Sequence, residues 1–581
     1  MSQLSLIKKL GDRNLEKTFE MLKNNNVTLV MSAFYPQRGS ILNEYAKQGG
    51  KAIISGGLEG QQIFPYVTQY GLEYETTGIE ETPYRLQEIV SALPKNIQGN
   101  VGLCVEAPLG DNLWSKNLQS HLGGVNLVGS NEQNLRSYFE EKMNLVSILQ
   151  KSGLQKYIIP QTIISEPQSK ECLQDIYEQF KSKDGKVVVQ NCGPGVNESG
   201  GGYSTIIVSS YDDFATLFEG EMQGAKKVAT YIDGCNSNLS FCAGNLLPSK
   251  IGLGAVKGEL TEDDDLYSEE TIDTLLQRGQ ELGLDESNTF SLVVPSTLKV
   301  VGDKNLSHSV TSGVGNIINY HFPSEISSQI YEIGSKLGNL MALCGKVGLA
   351  GVDLIITKNG QVFINEINDR QQGTTETTSI NCENNDVPGL LHVAFLQNFC
   401  DMNDYSNYLY MKQIKDNAPQ IYEHMGKEEV GSPFYIKLLG KHEGTYSTID
   451  LSSGAYVVEK QEEGRYVWQL DEKLDEECGI ESGYPLIDLN SQYNTAVLEG
   501  IDLSEGQFIP MSTQIGRICG EAQSGSEPFI INENGNSVVN PEWLPIIKAL
   551  EQQTTCVLSH TSLNLDESIA YSDPQDFGQN Q

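Results

Sequence analysis

The chain opens on MSQLSLIKKLGDRNLEKTFEMLKNNN, whose apolar positions recur at helical spacing and predict an amphipathic helix. VTLVMSAF at 27–34 then reads as a strand, the stretch from about Gly39 to Lys47 as a helix, and KAIIS at 51–55 as a second strand. Strand, helix, strand in that order implies a parallel sheet covered by helices. From about 136 to 400 the pattern changes to helix–strand–loop–strand units. Near 185–208, KVVVQ and STIIVSS flank NCGPGVNESGGGY, which predicts two strands joined by a mobile flap over 193–202. Its glycines let the backbone approach a ligand and point several N–H groups one way. Pro323-Ser324 opens a long helix in which Ile326, Ile330, Ile333, Leu337, Leu340, Met341 and Cys344 keep helical spacing. Ser324 is its expected N-cap and Gly345 its stop. That helix is core packing. After about 400, TYSTIDL, AYVVEK, RYVWQL and QFIPMSTQIGRICGE predict a small antiparallel β-rich region over 425–525. WLPIIKALEQQ reads as a helix, and a polar tail follows that is expected to be disordered. No internal repeat is evident.

The most informative pattern is GLAGVDLIITKNGQVFINEINDR, from Gly348 to Arg370. Two β-type runs meet around Asn359-Gly360, and both residues tolerate the positive φ of a type I′ turn. A two-residue loop pairs Lys358 with Gln361 and, counting outward, sets Asp353 opposite Glu366. Opposed residues share a face with Cβ atoms roughly 5 Å apart. Asn368 stays on that face, and the polar set falls away from Val352, Leu354, Ile356 and Phe363. Two like charges so placed repel. A divalent cation with oxygen ligands relieves the repulsion, and Mg²⁺ commonly takes one or two carboxylates plus substrate phosphates. Arg370 adds a cation where an anion could sit.

Composition narrows the partners. With 581 residues, 39% of them apolar and 8% aromatic, the chain can build several cored domains. A net charge of −36 argues against a nucleic acid or an anionic membrane as partner, since either needs a broad basic face. It leaves room for a nucleotide held by a few local cations and a metal. The N-terminus lacks the continuous apolar core of a signal peptide, and no run of about 18 apolar residues predicts a membrane span. Eleven cysteines without CxxC spacing suit reduced thiols, hence a cytoplasmic location, better than a disulfide framework or a zinc site. The spacings GxGxxG, HExxH, GxSxG and the P-loop pattern are absent.

The 348–370 segment resembles the metal-binding end of the ATP-grasp superfamily, which has an acidic residue in one strand and then a strand ending Glu-x-Asn-x-Arg. Asp353 and Glu366-Ile367-Asn368-Asp369-Arg370 match it, and Gly373-Thr374-Thr375-Glu376 looks like the small-residue turn that follows in peptide and amide ligases of the family. The resemblance covers about Val125 to Glu376. Gly129-Ser130, then Glu141-Lys142-Met143 and IIP at 158–160, make Lys142 the match for the first phosphate-side lysine, a helix residue in that family. The second family lysine closes the strand before the glycine loop, where this chain has Gln190; Lys186 is a candidate for compensation. In the strand KVATYIDG at 227–234 a usual glutamate is replaced by Ala229, leaving the backbone of Tyr231 and Ile232 for adenine. In HSVTSGVGN, from His308 to Asn316, Gly313, Gly315 and Asn316 stand where the acceptor substrate often lies in related ligases, although an ordinary turn explains them as well. His308 and His321 have no evident partner in the sequence.

The resemblance implies an α/β and α+β multidomain chain. A parallel-sheet pre-ATP-grasp-like domain would occupy 1–135, a two-lobed ATP-grasp domain 136–400 with its lid at about 160–230, and a β-rich accessory region with the polar tail 401–581. It implies an ATP-dependent carboxylate–amine ligase that activates a carboxylate as an acyl phosphate and releases ADP and phosphate. Asp353, Glu366 and Asn368 would hold Mg²⁺ or Mn²⁺, and Arg370 would be catalytic. Lys142, Gln190, Gly200, Gly201, Gly202, Tyr231 and Ile232 would bind ATP. Partners would be small carboxylate and amine substrates, an amino acid or peptide foremost, with a homodimer open. Two other readings stand beside it: a biotin-carboxylase-like ATP-dependent carboxylase, and a non-catalytic ATP-binding regulatory module favoured by the departures at 190 and 229.

Overall fold

Gln3–Asn24 is helical, with the Ser2 side chain accepting the Ser5 N–H at its start. One face of this helix places Ile7, Leu15, Phe19 and Leu22 in a core shared with the helices Leu390–Phe399 and Tyr405–Met425. Phe19 packs at 5.3 Å from Tyr45 and 5.4 Å from Phe395, ring centre to ring centre. Burying each such ring contributes about 1.5–3 kcal/mol. Asn14 closes the contact by donating to the Ser406 carbonyl and accepting from its hydroxyl.

This computed structural model describes residues 2–32, 39–58, 66–72, 100–105, 127–129, 133–193, 205–219, 224–250, 253–260, 264–307, 311–439, 444–449, 453–461, 465–471, 484–499, 508–509 and 514–557. The chain divides into two compact units. The first comprises Met1–Leu298, Ile318–Gly431 and Asn534–Asn536; the second comprises Lys299–Ile317, Ser432–Glu533 and Ser537–Gln581.

In the first unit, β1 (Val27–Ser32), β2 (Lys51–Leu58), β3 (Thr68–Leu72), β4 (Asn100–Val105) and β5 (Leu127–Gly129) form a parallel sheet in the order β3-β2-β1-β4-β5. The helix Ser40–Lys47 supplies the β1–β2 crossover, as the opening pattern predicts. A second sheet of the same unit is antiparallel in the pairings β6–β9, β9–β7 and β7–β8: β6 (Gln161–Ile164), β7 (Val187–Cys192), β8 (Thr205–Val208) and β9 (Ala225–Thr230). The helix Lys170–Phe180 packs Leu173, Tyr177 and Phe180 against its Val187, Val189 and Val228.

The third sheet of the unit contains β10 (Cys235–Asn245), β11 (Thr289–Val293), β14 (Gly348–Ile356) and β15 (Val362–Asn368), with β14 between β10 and β15. The helix Ser324–Leu343 lies on β10 and β11, as core packing requires. It comes so close at Gly338 that a Cβ there would meet the Ser291 hydroxyl at 2.1 Å. Its cap differs from expectation: Pro323 occupies the N-cap position and Ser324 is the first helical residue, with no side-chain cap. The Pro323 carbonyl accepts the Ile326 and Ser327 N–H groups, both at 2.9 Å, so the backbone opens the helix at that residue. Gly345, at φ 87°, ends the helix as predicted.

The second unit contains most of the predicted antiparallel region. β12 (Thr297–Val301), which enters this unit at Lys299, is followed in the sheet by β13 (Gly313–Ile317), β16 (Pro433–Leu439) and the strands Gln514–Ala522, Tyr493–Glu499, Gly454–Lys460 and Tyr466–Leu470. Leu544–Gln553 is the expected C-terminal helix. Residues 558–581, with the polar tail, lie outside the described residues, as do His308 and Gly200, Gly201 and Gly202 of the glycine loop.

Gly313, Gly315 and Asn316 are not in a loop. They belong to β13, where Asn316 is buried and donates to the Tyr435 hydroxyl at 2.7 Å. Glycine in a strand marks a close approach. A Cβ on Gly315 would meet the Phe529 ring at 2.3 Å and the Tyr435 carbonyl at 2.6 Å. Gly315→Ala is therefore expected to cost about 1–3 kcal/mol through overpacking. Urea unfolding of the whole chain checks this; unchanged stability would show that Phe529 moves freely.

Candidate functional site

The 348–370 hairpin decides the site, and its register arises differently from the simplest count. The turn contains three residues, Lys358-Asn359-Gly360. Thr357 N–H donates to the Gln361 carbonyl, and Gly360 N–H donates to the Thr357 carbonyl, both at 2.9 Å. Gly360 takes φ 78°, the left-handed position of a three-residue hairpin loop. Ile356 consequently faces Val362, Ile355 faces Phe363 and Leu354 faces Ile364. This one-residue shift alone would turn the carboxylates to opposite faces. A bulge cancels it: Asn365 has no partner residue on β14, and beyond it Asp353 pairs with Glu366, Val352 with Ile367 and Gly351 with Asn368. Asp353, Glu366 and Asn368 thus share one face, as expected. Phe363 does not lie on the opposite side; its partner Ile355 follows Asp353 by two residues on the same face.

The row of polar groups continues beyond the hairpin. β10 pairs Asn238 with Asp353, and the Asn238 amide donates to Asp353 Oδ1 at 2.6 Å. Thr374 donates in turn to Asn238 Oδ1 at 2.8 Å, which fixes the amide's orientation. Asn238 was not legible in the sequence, because its strand is remote and carries no motif. Asp353 and Glu366 are half-buried and Asn368 is buried. Two carboxylates and an amide oxygen form a hard donor set suited to Mg²⁺ or Mn²⁺. Among the described residues no group of three His, Cys, Asp or Glu is placed to hold a metal. An ion here would be completed by Asn368, water and substrate oxygens. Asn368 Oδ1 already accepts from Arg370 Nη2 at 2.7 Å, but an amide oxygen has a second lone pair.

Arg370 lies in a dense charge cluster. Its Nε is 3.1 Å from Glu140 Oε1, and Arg136 Nε is 3.4 Å from Glu140 Oε2. Burial pushes the Arg136 guanidinium's pKa down, against the support of Glu140. Asp369, between Asn368 and Arg370, forms a buried ion pair with Lys346 at 2.9 Å. The strand end with the predicted metal ligands is thereby clamped on both sides.

Lys142 stands in the turn between the helices Gln133–Glu140 and Leu145–Lys151 rather than on a helix. Glu141 explains the turn: its carboxylate accepts the Met143 N–H at 3.0 Å and the Gly193 N–H at 3.3 Å, an interaction that a continuous helix does not offer. Gln190 is buried in β7 and donates to the Thr205 hydroxyl at 3.0 Å. Tyr231 and Ile232 form the half-buried link after β9, and Lys186 Nζ lies 4.7 Å over the Tyr231 ring.

Lys227 belongs to no motif in the sequence. It is fully buried in β9, directly opposite Gln190, and donates to the carbonyl of the bulge residue Asn365 at 3.0 Å. Burial and the nearby Lys142 charge lower its pKa to about 8, while Glu366 opposes the shift.

No protein-family model matches the sequence, and no curated protein matches it significantly. Several solved structures are similar to it at low identity. An Aspergillus clavatus N5-carboxyaminoimidazole synthase, in complex with ADP and 5-aminoimidazole ribonucleotide, is 10% identical with a TM-score of 0.45, covering 91% of this chain and 99% of that one. An L-amino acid ligase from Bacillus licheniformis is 12% identical with a TM-score of 0.43, covering 92% and 99%. The biotin carboxylase domain of Hydrogenobacter thermophilus 2-oxoglutarate carboxylase is 11% identical with a TM-score of 0.44, covering 85% and 86%. Likeness at this level assigns no activity.

Proposed function

We propose that this chain is an ATP-dependent ligase of the ATP-grasp type, which activates a carboxylate as an acyl phosphate and passes the acyl group to an amine. The observation that carries the reading is the Asp353–Glu366 pair, held on one face by a turn and a bulge that offset each other. Two carboxylates kept side by side at the end of a clamped strand are poorly explained by stability alone, since like charges directly opposed are destabilising.

Each residue has a definable task. Asp353, Glu366 and Asn368 would hold the metal, which supplies charge neutralisation on the phosphate oxygens when bound. Asn238 orients Asp353. Arg370, held by Glu140 and Asn368, would offer its remaining donors to charge developing on the transferred phosphoryl group. Lys142 would bind phosphate. Tyr231 and Ile232 would meet adenine through their backbone. A substrate carboxylate attacks the γ-phosphorus and ADP leaves; the amine then attacks the acyl carbon and phosphate leaves. Such chemistry depends on positioning and electrostatics more than on covalent help from the protein. A small amino acid or peptide is the proposed substrate class, by analogy alone.

Product analysis tests the reading. Incubation with ATP, Mg²⁺ and a panel of amino acids is expected to release ADP and phosphate. Hydroxylamine added with the correct acid is expected to trap a hydroxamate. Stoichiometric AMP and pyrophosphate would reject the mechanism. Dependence on bicarbonate and biotin would mark the carboxylase instead.

A further inference from the structure

We propose that Lys227 binds the nucleotide phosphates, the positive charge expected at position 190 having moved one strand across the sheet. The inference rests on the nucleotide reading above and adds a residue that the motif match does not contain. In the antiparallel pair β7–β9, Gln190 and Lys227 are direct partners. Direct partners share a face with Cβ atoms roughly 5 Å apart. A lysine's long stem spans that displacement, so its ammonium can serve the region that a lysine at 190 would serve.

Three further observations point the same way. Lys227 is 0% exposed, and among the described residues no carboxylate lies within ion-pair distance of it. A buried charge without a counter-ion is costly. Its described acceptor is the Asn365 carbonyl, and an ammonium has three donors. Finally, Lys142 and Glu366 are close enough for their charges to act on it. One is the matched phosphate-side lysine and the other a proposed metal ligand, so the ammonium stands near both groups that a metal-bound polyphosphate would need. Gln190 is engaged with Thr205 and carries no charge.

A purely structural role, pinning the bulge through Asn365, is the competing explanation, and the two separate cleanly. Lys227→Met preserves length and removes the charge. Without nucleotide it is expected to unfold at the wild-type temperature or above, because an uncompensated buried charge is lost. Its affinity for ATP·Mg²⁺, read from the ligand-induced shift in unfolding temperature and from calorimetric titration, is expected to fall on the order of tenfold to a hundredfold, as for the loss of a charged hydrogen bond. The exchange Gln190→Lys with Lys227→Gln restores the charge on the neighbouring strand and is expected to recover affinity to within a few-fold. Wild-type affinity in Lys227→Met would overturn the proposal while leaving the nucleotide reading intact. Lower stability without nucleotide, together with no recovery in the exchange variant, would assign Lys227 to the bulge and overturn it equally. A wild-type protein that ATP·Mg²⁺ neither binds nor stabilises would remove the nucleotide reading, and this inference with it.

Discussion

Glu366→Ala is expected to lower ATP turnover by about a hundredfold to a thousandfold, the scale seen when one preorganised electrostatic contact to a reacting centre is removed. The same variant is expected to fold normally. Glu366 is only half-buried, and it faces Asp353 across the β14–β15 ladder, so removing one of two opposed carboxylates relieves a repulsion. Stability without metal should therefore hold or rise while Mg²⁺-dependent turnover falls. Unfolding curves with and without Mg²⁺, paired with ADP release, read the two effects separately. Full turnover at ordinary Mg²⁺ concentrations would place the metal elsewhere.

Asp369→Ala is expected to have the largest effect on stability among single changes near the site. Its carboxylate is fully buried against Lys346, at 2.9 Å, and Lys346 is itself buried. Removing one member of such a pair leaves an uncompensated ion in a low-dielectric interior and costs about 3–5 kcal/mol. Replacing both members, Asp369→Leu with Lys346→Met, should return most of that loss, because a well-packed apolar pair needs no desolvation of charge. Urea unfolding of the single and double variants measures the coupling. A single variant within about 0.5 kcal/mol of wild type, the ordinary range for surface substitutions, would show that water reaches the pair.

Local pattern revealed much of the fold. Period and punctuation located the first helix, the parallel strands β1 and β2 with their crossover helix, and the Gly345 stop, since each depends on residues adjacent in sequence. The facing of Asp353 and Glu366 was legible too, although for an incomplete reason. A two-residue loop and a regular ladder predict it, whereas the chain has a longer loop and a bulge. Asn359-Gly360 fits either turn, and no local residue preference marks Asn365 as the bulge. Long-range pairing was not legible. Lys227 in KKVAT looks like any lysine of a half-buried strand, and only the β7–β9 register sets it against Gln190. Asn238 is likewise placed by β10 lying beside β14. The glycines of β13 signal turns in the sequence, while in the sheet Gly315 admits Phe529 and the Tyr435 backbone.

The bulge at Asn365 works like a leap day: it takes up the one residue that the three-residue turn leaves over, so that Asp353 and Glu366 still meet. The facing of the carboxylates needs only that the remainder be absorbed, whereas the absorbed residue itself supplies the carbonyl that receives Lys227. A chain lacking Asn365 would still set Asp353 against Glu366, and would lose the anchor of the buried lysine.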